Sequence, residues 1–449
     1  MHAPIRRRLP PRSLAPCALT LFLAPLVAAQ EKPESGDPPQ DKAGQEKPEP
    51  AKPASDQDDL QTLKKRLDEM EKKHDQEVEE LRDEIDALNS KSSQPATQSP
   101  FQSLNVFNPQ LTVFGNFFGR WDDQRVVNPA GDPVDDRFWL REAELDFRAA
   151  IDPWADGVLI LSVGADSPGN FTTEVEEGYF TLKQLPILDS DPGGLRLQVG
   201  RFRPDFGRIN KTHDHDLPWM DRPPSFAAYF GDEGFKSDGF SGQFFLPSPT
   251  ESSTLQATLQ IVNGGDLPIA ADNNAEDPAY LEHVSWFWDL APGHDIEVGE
   301  STYFSRFDQA GHEKSQILGL DATYHWKPYA AGEWKSFLLG GELFAASVEQ
   351  AGATSSRPFG WYVWSQYQLS QNLYLGARYD VHQSFPDDSL TSRQVGVYVT
   401  YYTTEFLRFR LGGEHTRSDD PAVSGLNSLL FEINIVFGSH PTEPYWVNK

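Results

Sequence analysis

Cysteine is all but missing from this chain: Cys17 is the only one, and it lies in a leader that processing is expected to remove. Disulfide staples, thiolate catalysis and cysteine-ligated zinc are thereby excluded from the mature protein. Basic charge is also scarce. Lys and Arg total 39 against 67 Asp and Glu, a formal net charge of -28, which argues against nucleic acid as a partner because a phosphate backbone needs a basic surface. After residue 29 no run of about twenty apolar residues occurs, so this segment offers no membrane-spanning helix. A nucleophile motif, a Gly-rich phosphate loop and a paired-carboxylate pattern are missing too, so neither an enzyme nor a cofactor is expected. A membrane barrel escapes all these exclusions, since its alternating residues cancel in any hydropathy average.

What is present changes character along the chain. Arg6, Arg7, Arg8 and Arg12 precede an apolar stretch, CALTLFLAPLVAA, that ends in small residues before Gln30. Residues 1–29 therefore read as a secretory signal peptide. LAPC at 14–17 resembles a lipoprotein signal, but its apolar core follows the cysteine instead of preceding it. Residues 30–57 are rich in Pro, Glu and Lys with almost nothing to bury, the composition of a disordered linker. From 58 to 90, Leu60, Leu63, Leu67, Met70, His74, Val78, Leu81, Ile85 and Leu88 recur at steps of three and four among charges, a coiled-coil seam expected to assemble with copies of itself. His74 in that seam reads as a register device. A second linker, 91–105, carries Pro95 and Pro100.

Beyond it the period becomes two. In RFWLREAELDFRA (137–149), Trp139, Ala143, Leu145, Phe147 and Ala149 oppose Glu142, Glu144, Asp146 and Arg148; in LLFEINIVF (429–437), Leu429, Phe431, Ile433, Ile435 and Phe437 oppose Glu432 and Asn434. About sixteen such segments, each near the length of a tilted transmembrane strand, fit between turn signals. Short connections (152–156, 247–252, 291–295, 402–405) and longer polar ones (122–136, 205–233, 264–281, 307–314, 348–358, 383–392, 417–425) suggest short turns at one end and long loops at the other. The expected fold is an all-β outer-membrane barrel of about 16 antiparallel strands over 106–437, with a C-terminal tail at 438–449. A soluble sandwich or propeller would also give period-two strands but not this loop asymmetry.

Counting from a periplasmic N-terminus, 205–233 is the third outside loop, between the fifth and sixth strands. The run GRFRPDFGRINKTHDHDLPWMDRP (200–223) gathers five basic residues, four aspartates and two histidines. At the constricting loop of a porin, such charge would face water and act on passing ions. For His213–Asp216, ordinary loop structure or pore lining is the expected reading and no metal site is assigned: in an extended segment His213 and His215 can converge on a divalent ion, but Asp214 and Asp216 face away.

VEEGYFTLKQL (175–185) followed by LRLQVGRFRPDFGRIN (195–210), with FWLREAELDFRAAI (138–151), resembles the phosphate-selective porin O and P family. The resemblance covers about 105–245 and is diffuse from there to about 437. It implies a sixteen-stranded, trimeric porin in the outer membrane of a Gram-negative-type bacterium, with passive uptake of small anions along lumen arginines and lysines. Strand parity nominates Arg120, Arg148, Arg196, Arg378, Arg408 and Arg410, with Arg201, Arg203, Arg208, Lys211, His213, Asp214 and His215 at the constriction. By the same parity Glu142, Glu144, Asp146, Glu177, Asp321, Glu342 and Asp380 also point inward. A uniform anion-attracting field is not expected, and the solute stays open. The partners expected are membrane lipid, further copies of the chain, and small ions or solutes in transit. The alternative is an anchor that tethers the periplasmic coiled coil to the cell wall.

Overall fold

The computed structural model describes residues 109–439, apart from 125, 128–132, 135–136, 168–169, 185–193, 265–266, 270–276, 307–312, 329–333, 350–354 and 420–424, together with 446–447. The signal peptide, both linkers and the coiled-coil seam lie outside the described residues.

Sixteen antiparallel strands form one closed barrel. In chain order they are β1 (Gln110–Asp122), β2 (Arg137–Asp152), β3 (Ala155–Ser167), β4 (Asn170–Leu182), β5 (Arg196–Phe202), β6 (Ser237–Leu246), β7 (Ser253–Val262) and β8 (Ala279–Ala291). The second half comprises β9 (His294–Arg306), β10 (Lys314–Trp326), β11 (Phe337–Val348), β12 (Phe359–Ser370), β13 (Leu373–Gln383), β14 (Thr391–Thr404), β15 (Leu407–Ser418) and β16 (Leu426–Gly438). Each strand pairs with its neighbour in sequence, and β1 closes the ring on β16, with Val113 opposite Phe437 and Arg120 opposite Leu430. Closure leaves no sheet edge, so the backbone groups of the strands are satisfied without water. Among the described residues no helix is long and apolar enough to cross a membrane.

The alternation read from the sequence sorts cleanly on most strands. On β14, Val395, Val397, Val399 and Tyr401 are exposed on the outer face while Tyr398 and Thr400 are buried inside. On β10, Leu318 and Leu320 face out and Ser315, Ile317 and Asp321 face in. Exposed aromatics gather toward both ends of the outer wall. Phe138, Phe171, Tyr280 and Phe359 stand at the long-loop end, and Trp154, Phe245, Trp288, Tyr367, Tyr401, Phe406 and Phe437 at the short-turn end, with aliphatic side chains between. An apolar band between two aromatic girdles is the surface a bilayer requires. The loop asymmetry has exceptions: the β3–β4 connection at the long-loop end is only 168–169, whereas 183–195 and 327–336 are longer connections at the turn end.

Apart from register shifts beside the hairpin turns, two mid-strand bulges among the described residues break the parity. The β1–β2 register slips between Asn116 and Phe117, leaving Arg141 as the extra residue. The face assignment of the preceding residues is thereby inverted: Trp139, expected on the outer face, packs inside against Phe118 with ring centroids 5.0 Å apart. A second slip, on β4 opposite Ile160 and Leu161, makes Glu176 the extra residue, and both Glu176 and Glu177 are buried.

Between β5 and β6 the chain folds into the barrel. Residues 203–236 contain a turn of 3-10 helix at Asp214–Asp216 and a short helix, α1 (Pro224–Phe230). Phe206, Ile209, Leu217, Trp219, Met220, Phe226, Tyr229, Phe230 and Phe235 are buried and pack on inward-facing Tyr303, Ile317, Leu338, Phe344, Tyr362, Trp364 and Tyr398. Phe344 of β11 lies 5.6 Å from both Phe226 and Phe230. Each large side chain so buried contributes about 1.5–3 kcal/mol, enough to hold the loop against the wall. Trp446 is also buried with this cluster, and its carbonyl accepts a hydrogen bond from Gln366 Nε2 at 2.7 Å.

Candidate functional site

The segment 214–222 has little regular structure, so its backbone carbonyls need partners once buried. Arginines on the wall supply them. Arg141 Nη1 donates to Met220 O at 2.7 Å, Arg378 Nη1 to Asp221 O at 2.6 Å, Arg408 Nη2 to His215 O at 2.5 Å and Arg410 Nη2 to Leu217 O at 2.8 Å; Arg410 Nη1 also reaches Trp219 O. Countercharges are on hand: Glu432 accepts from Arg408 at 2.6 Å and from Arg410 at 2.9 Å, and Arg141 pairs with Asp221 at 3.0 Å. Charged, forked donors suit this task because one guanidinium can serve several oxygens at once.

The loop is braced at other points as well. Asn210 Nδ2 donates to Pro204 O and Phe235 O, and Phe235 N–H returns a bond to Asn210 Oδ1, tying the two ends of the loop together. Glu342 Oε1 accepts the N–H groups of Arg208 (3.0 Å) and Ile209 (2.9 Å). Asp380 accepts the N–H of Ser225 in the first turn of α1 at 2.8 Å, where an anion is favoured. Asp205 lies between Lys211 Nζ (2.9 Å) and His283 Nδ1 (3.0 Å) and accepts from Thr258 Oγ1. Burial alone would raise its carboxyl pKa, but Lys211 and His283 hold it well below the usual range.

The nominated residues therefore divide. Arg378, Arg408 and Arg410 do face inward but are buried as clamps on the loop, not displayed to water. Arg203 is 4 % exposed, pairs with Glu176 at 2.5 Å and donates to Glu233 O. The expectation that the charge of this run stays solvated fails for Arg203 and His215, since its aromatic neighbours draw the segment into a packed interior. Arg208 pairs with Glu297, Lys211 remains half exposed, and Arg201 stands on the outward parity of β5, where it reaches Val175 O and Glu174. Arg120 and Arg148 pair with Asp122 (2.8 Å) and Asp146 (2.9 Å) on their own strands. Arg196 is exposed near the turn end of β5.

His213 and His215 both lie beside Glu144 of β2, with Asp214 turned to Arg222 at 2.9 Å. Burial alone would lower the His213 pKa, yet Glu144 and the hydrogen bonds to Glu144 and Glu177 raise it well above the usual imidazole value. Between the loop and β1–β4 a cavity of about 430 Å³ remains, lined by Arg120, Arg141, Arg203 and Arg222 against Glu142, Glu174, Glu176, Asp214, Asp221, Asp232 and Glu233. Parity could not nominate Arg141 or Glu176, because each is the extra residue of a bulge. Trp219, Met220, Phe226, Tyr229 and Phe230 did leave a signal: such residues are out of place in a loop that stays in water.

No family model matches the chain. An uncharacterized protein of Aquifex aeolicus (strain VF5) is 22% identical over 348 residues, 69% of this chain and 70% of that protein. Among solved structures, the outer membrane channel DcaP of Acinetobacter baumannii aligns with a TM-score of 0.49 at 12% identity, over 73% of this chain and 97% of that one. OprB of Pseudomonas putida aligns at 0.44 and 11%, over 75% and 96%. A loop-deletion form of OmpT, an outer membrane protein of Vibrio cholerae, aligns at 0.47 and 10%, over 74% and 100%.

Proposed function

We propose that the chain is an outer-membrane channel for passive diffusion of small solutes or ions, narrowed by residues 203–236. The observation that carries the reading is the closed sixteen-strand wall with an apolar outer band between two aromatic girdles, around a charged interior. Passage would run off-axis, through the polar cavity between the loop and β1–β4. Its carboxylates outnumber its arginines, and those arginines are engaged by the loop or by acids. The lining therefore supports small cations and neutral solutes better than the small anions, phosphate among them, that the porin O and P resemblance implies. Self-assembly as a homotrimer, with the Leu60–Leu88 seam in the periplasm, belongs to the same reading.

One observation favours a second reading, an anchor joining the membrane to the cell wall: much of the lumen is packed with loop aromatics. Planar-bilayer recording of the folded full-length protein separates the two. Discrete current steps in potassium chloride support the channel. Silence from protein whose gel migration is heat-modifiable, and so folded, would leave the anchor.

A further inference from the structure

The turn of 3-10 helix at Asp214–Asp216 does what an extended chain was expected to do: it turns His213 and His215 to the same side. Their Nδ1 atoms converge on one oxygen, Glu144 Oε1, at 3.1 and 3.3 Å. Two metal–ligand bonds of about 2.0–2.1 Å meeting at a tetrahedral angle place their donor atoms about 3.3 Å apart. One donor atom from each of the three residues lies within 4.8 Å of the others.

The surroundings fit the same use. His213 Nε2 is 2.8 Å from Glu177 Oε1 and His215 Nε2 is 3.6 Å from Asp216 Oδ2, so each ring turns its second nitrogen to a carboxylate, as metal-bound imidazoles characteristically do. Phe114 stacks on His215 with centroids 4.1 Å apart and fixes its plane. His215 is 2 % exposed, and its Nδ1 meets Glu144 Oε1 at ion-pair distance but out of hydrogen-bond alignment, a poorly satisfied state for a buried polar atom. The nearby Arg203 is engaged by Glu176 and Glu233 O, while Glu142, Glu176 and Asp214 line the adjoining cavity and give a cation a path inward.

We propose that Glu144, His213 and His215 form a site for a divalent transition-metal ion of the zinc class, with Glu177 orienting His213. Two imidazoles and a carboxylate suit zinc and exclude the all-oxygen preference of magnesium and calcium. The ion staples the inserted loop to β2, and its remaining coordination position falls to water, since both oxygens of the neighbouring Glu176 are held by Arg203 and Lys236.

The test is calorimetric titration of chelator-stripped, folded full-length protein in detergent at pH 7.5 with zinc chloride, and separately with magnesium and calcium. One zinc per chain is expected, with no heat from the other two. His213→Ala and His215→Ala should abolish that binding, Glu177→Gln should weaken it about 10–100-fold, and His415→Ala, at the exposed rim of β15, should leave it unchanged. Because a variant can misfold, the unmutated protein supplies a second readout: its unfolding temperature should rise with zinc and return with chelator. Binding below one equivalent by the unmutated protein, no zinc-dependent rise in its unfolding temperature, or unmutated affinity in both histidine variants would overturn the proposal.

Discussion

Arg410→Ala removes a side chain that is 2 % exposed and joins three parts of the interior. Its guanidinium donates to Thr400 Oγ1 at 3.0 Å, to Glu432 Oε2 at 2.9 Å, to Leu217 O at 2.8 Å and to Trp219 O. Glu432 keeps Arg408 and so is not left alone. The loss falls on the two loop carbonyls. At about 1.5–3 kcal/mol for each hydrogen bond to a charged group, docking of the loop should weaken by about 3–6 kcal/mol. Water entering the vacated space will recover part of this, so the lower figure is the better guide. At about 1.4 kcal/mol per decade, 3 kcal/mol multiplies the undocked population roughly a hundredfold. The aromatic cluster around Phe344 should still keep the loop docked most of the time. In planar bilayers the variant should show brief, larger openings that the unmutated protein rarely shows, and a trypsin digest should cut faster after Arg208 or Lys211. Arg410→Lys should restore little, because an ammonium cannot fork to both carbonyls. If Arg410→Ala migrates as folded protein and its conductance, current noise and cleavage rate all match the unmutated chain, the arginines do not clamp the loop.

Three further outcomes follow from the same geometry. Gly207 has a φ of +59°, and a Cβ there would run into the Glu342 carboxylate that receives the Arg208 and Ile209 amides; Gly207→Ala should lower stability by about 1–3 kcal/mol, read as the urea midpoint, and an unchanged midpoint would refute the close approach. Replacing Asp221 and Asp232 by Asn removes two acids from the cavity lining, so the reversal potential in a potassium chloride gradient should move toward anion preference, most at low salt; no movement would place the conduction path elsewhere. Asp205 faces Lys211 of the loop and His283 of β8, with Asp321 on the far side of that ring, and its folded pKa is depressed. Its contribution is therefore complete above the unfolded value near 3.9 and is lost as pH falls through the lower folded one. The difference in unfolding temperature between unmutated protein and Asp205→Asn should stay flat from pH 7 to about 5 and shrink only in stronger acid. A difference already gone at pH 6 would contradict the assignment.

Much of the architecture was legible before any fold was known, because a strand's side chains alternate with a strict period and a barrel separates lipid from lumen on that period alone. Leu429, Phe431, Ile433, Ile435 and Phe437 declared one face of β16, and Glu432 and Asn434 the other, from order in the chain. The same reasoning counted the strands and found the third loop. It could not see the bulges at Arg141 and Glu176, since one added residue leaves composition unchanged and inverts every assignment on one side of it. Nor could it say what Arg378, Arg408 and Arg410 meet once they point inward. Parity sets a direction, whereas a partner depends on what else enters the same space. Here that is a loop whose aromatics bring unpaired carbonyls into a dry interior, and only the folded chain places those carbonyls within reach of the arginines. The histidines show the division most plainly: His213 and His215 are neighbours in sequence, but Glu144, about seventy residues earlier, comes between them only because β2 forms the wall on which the loop lands.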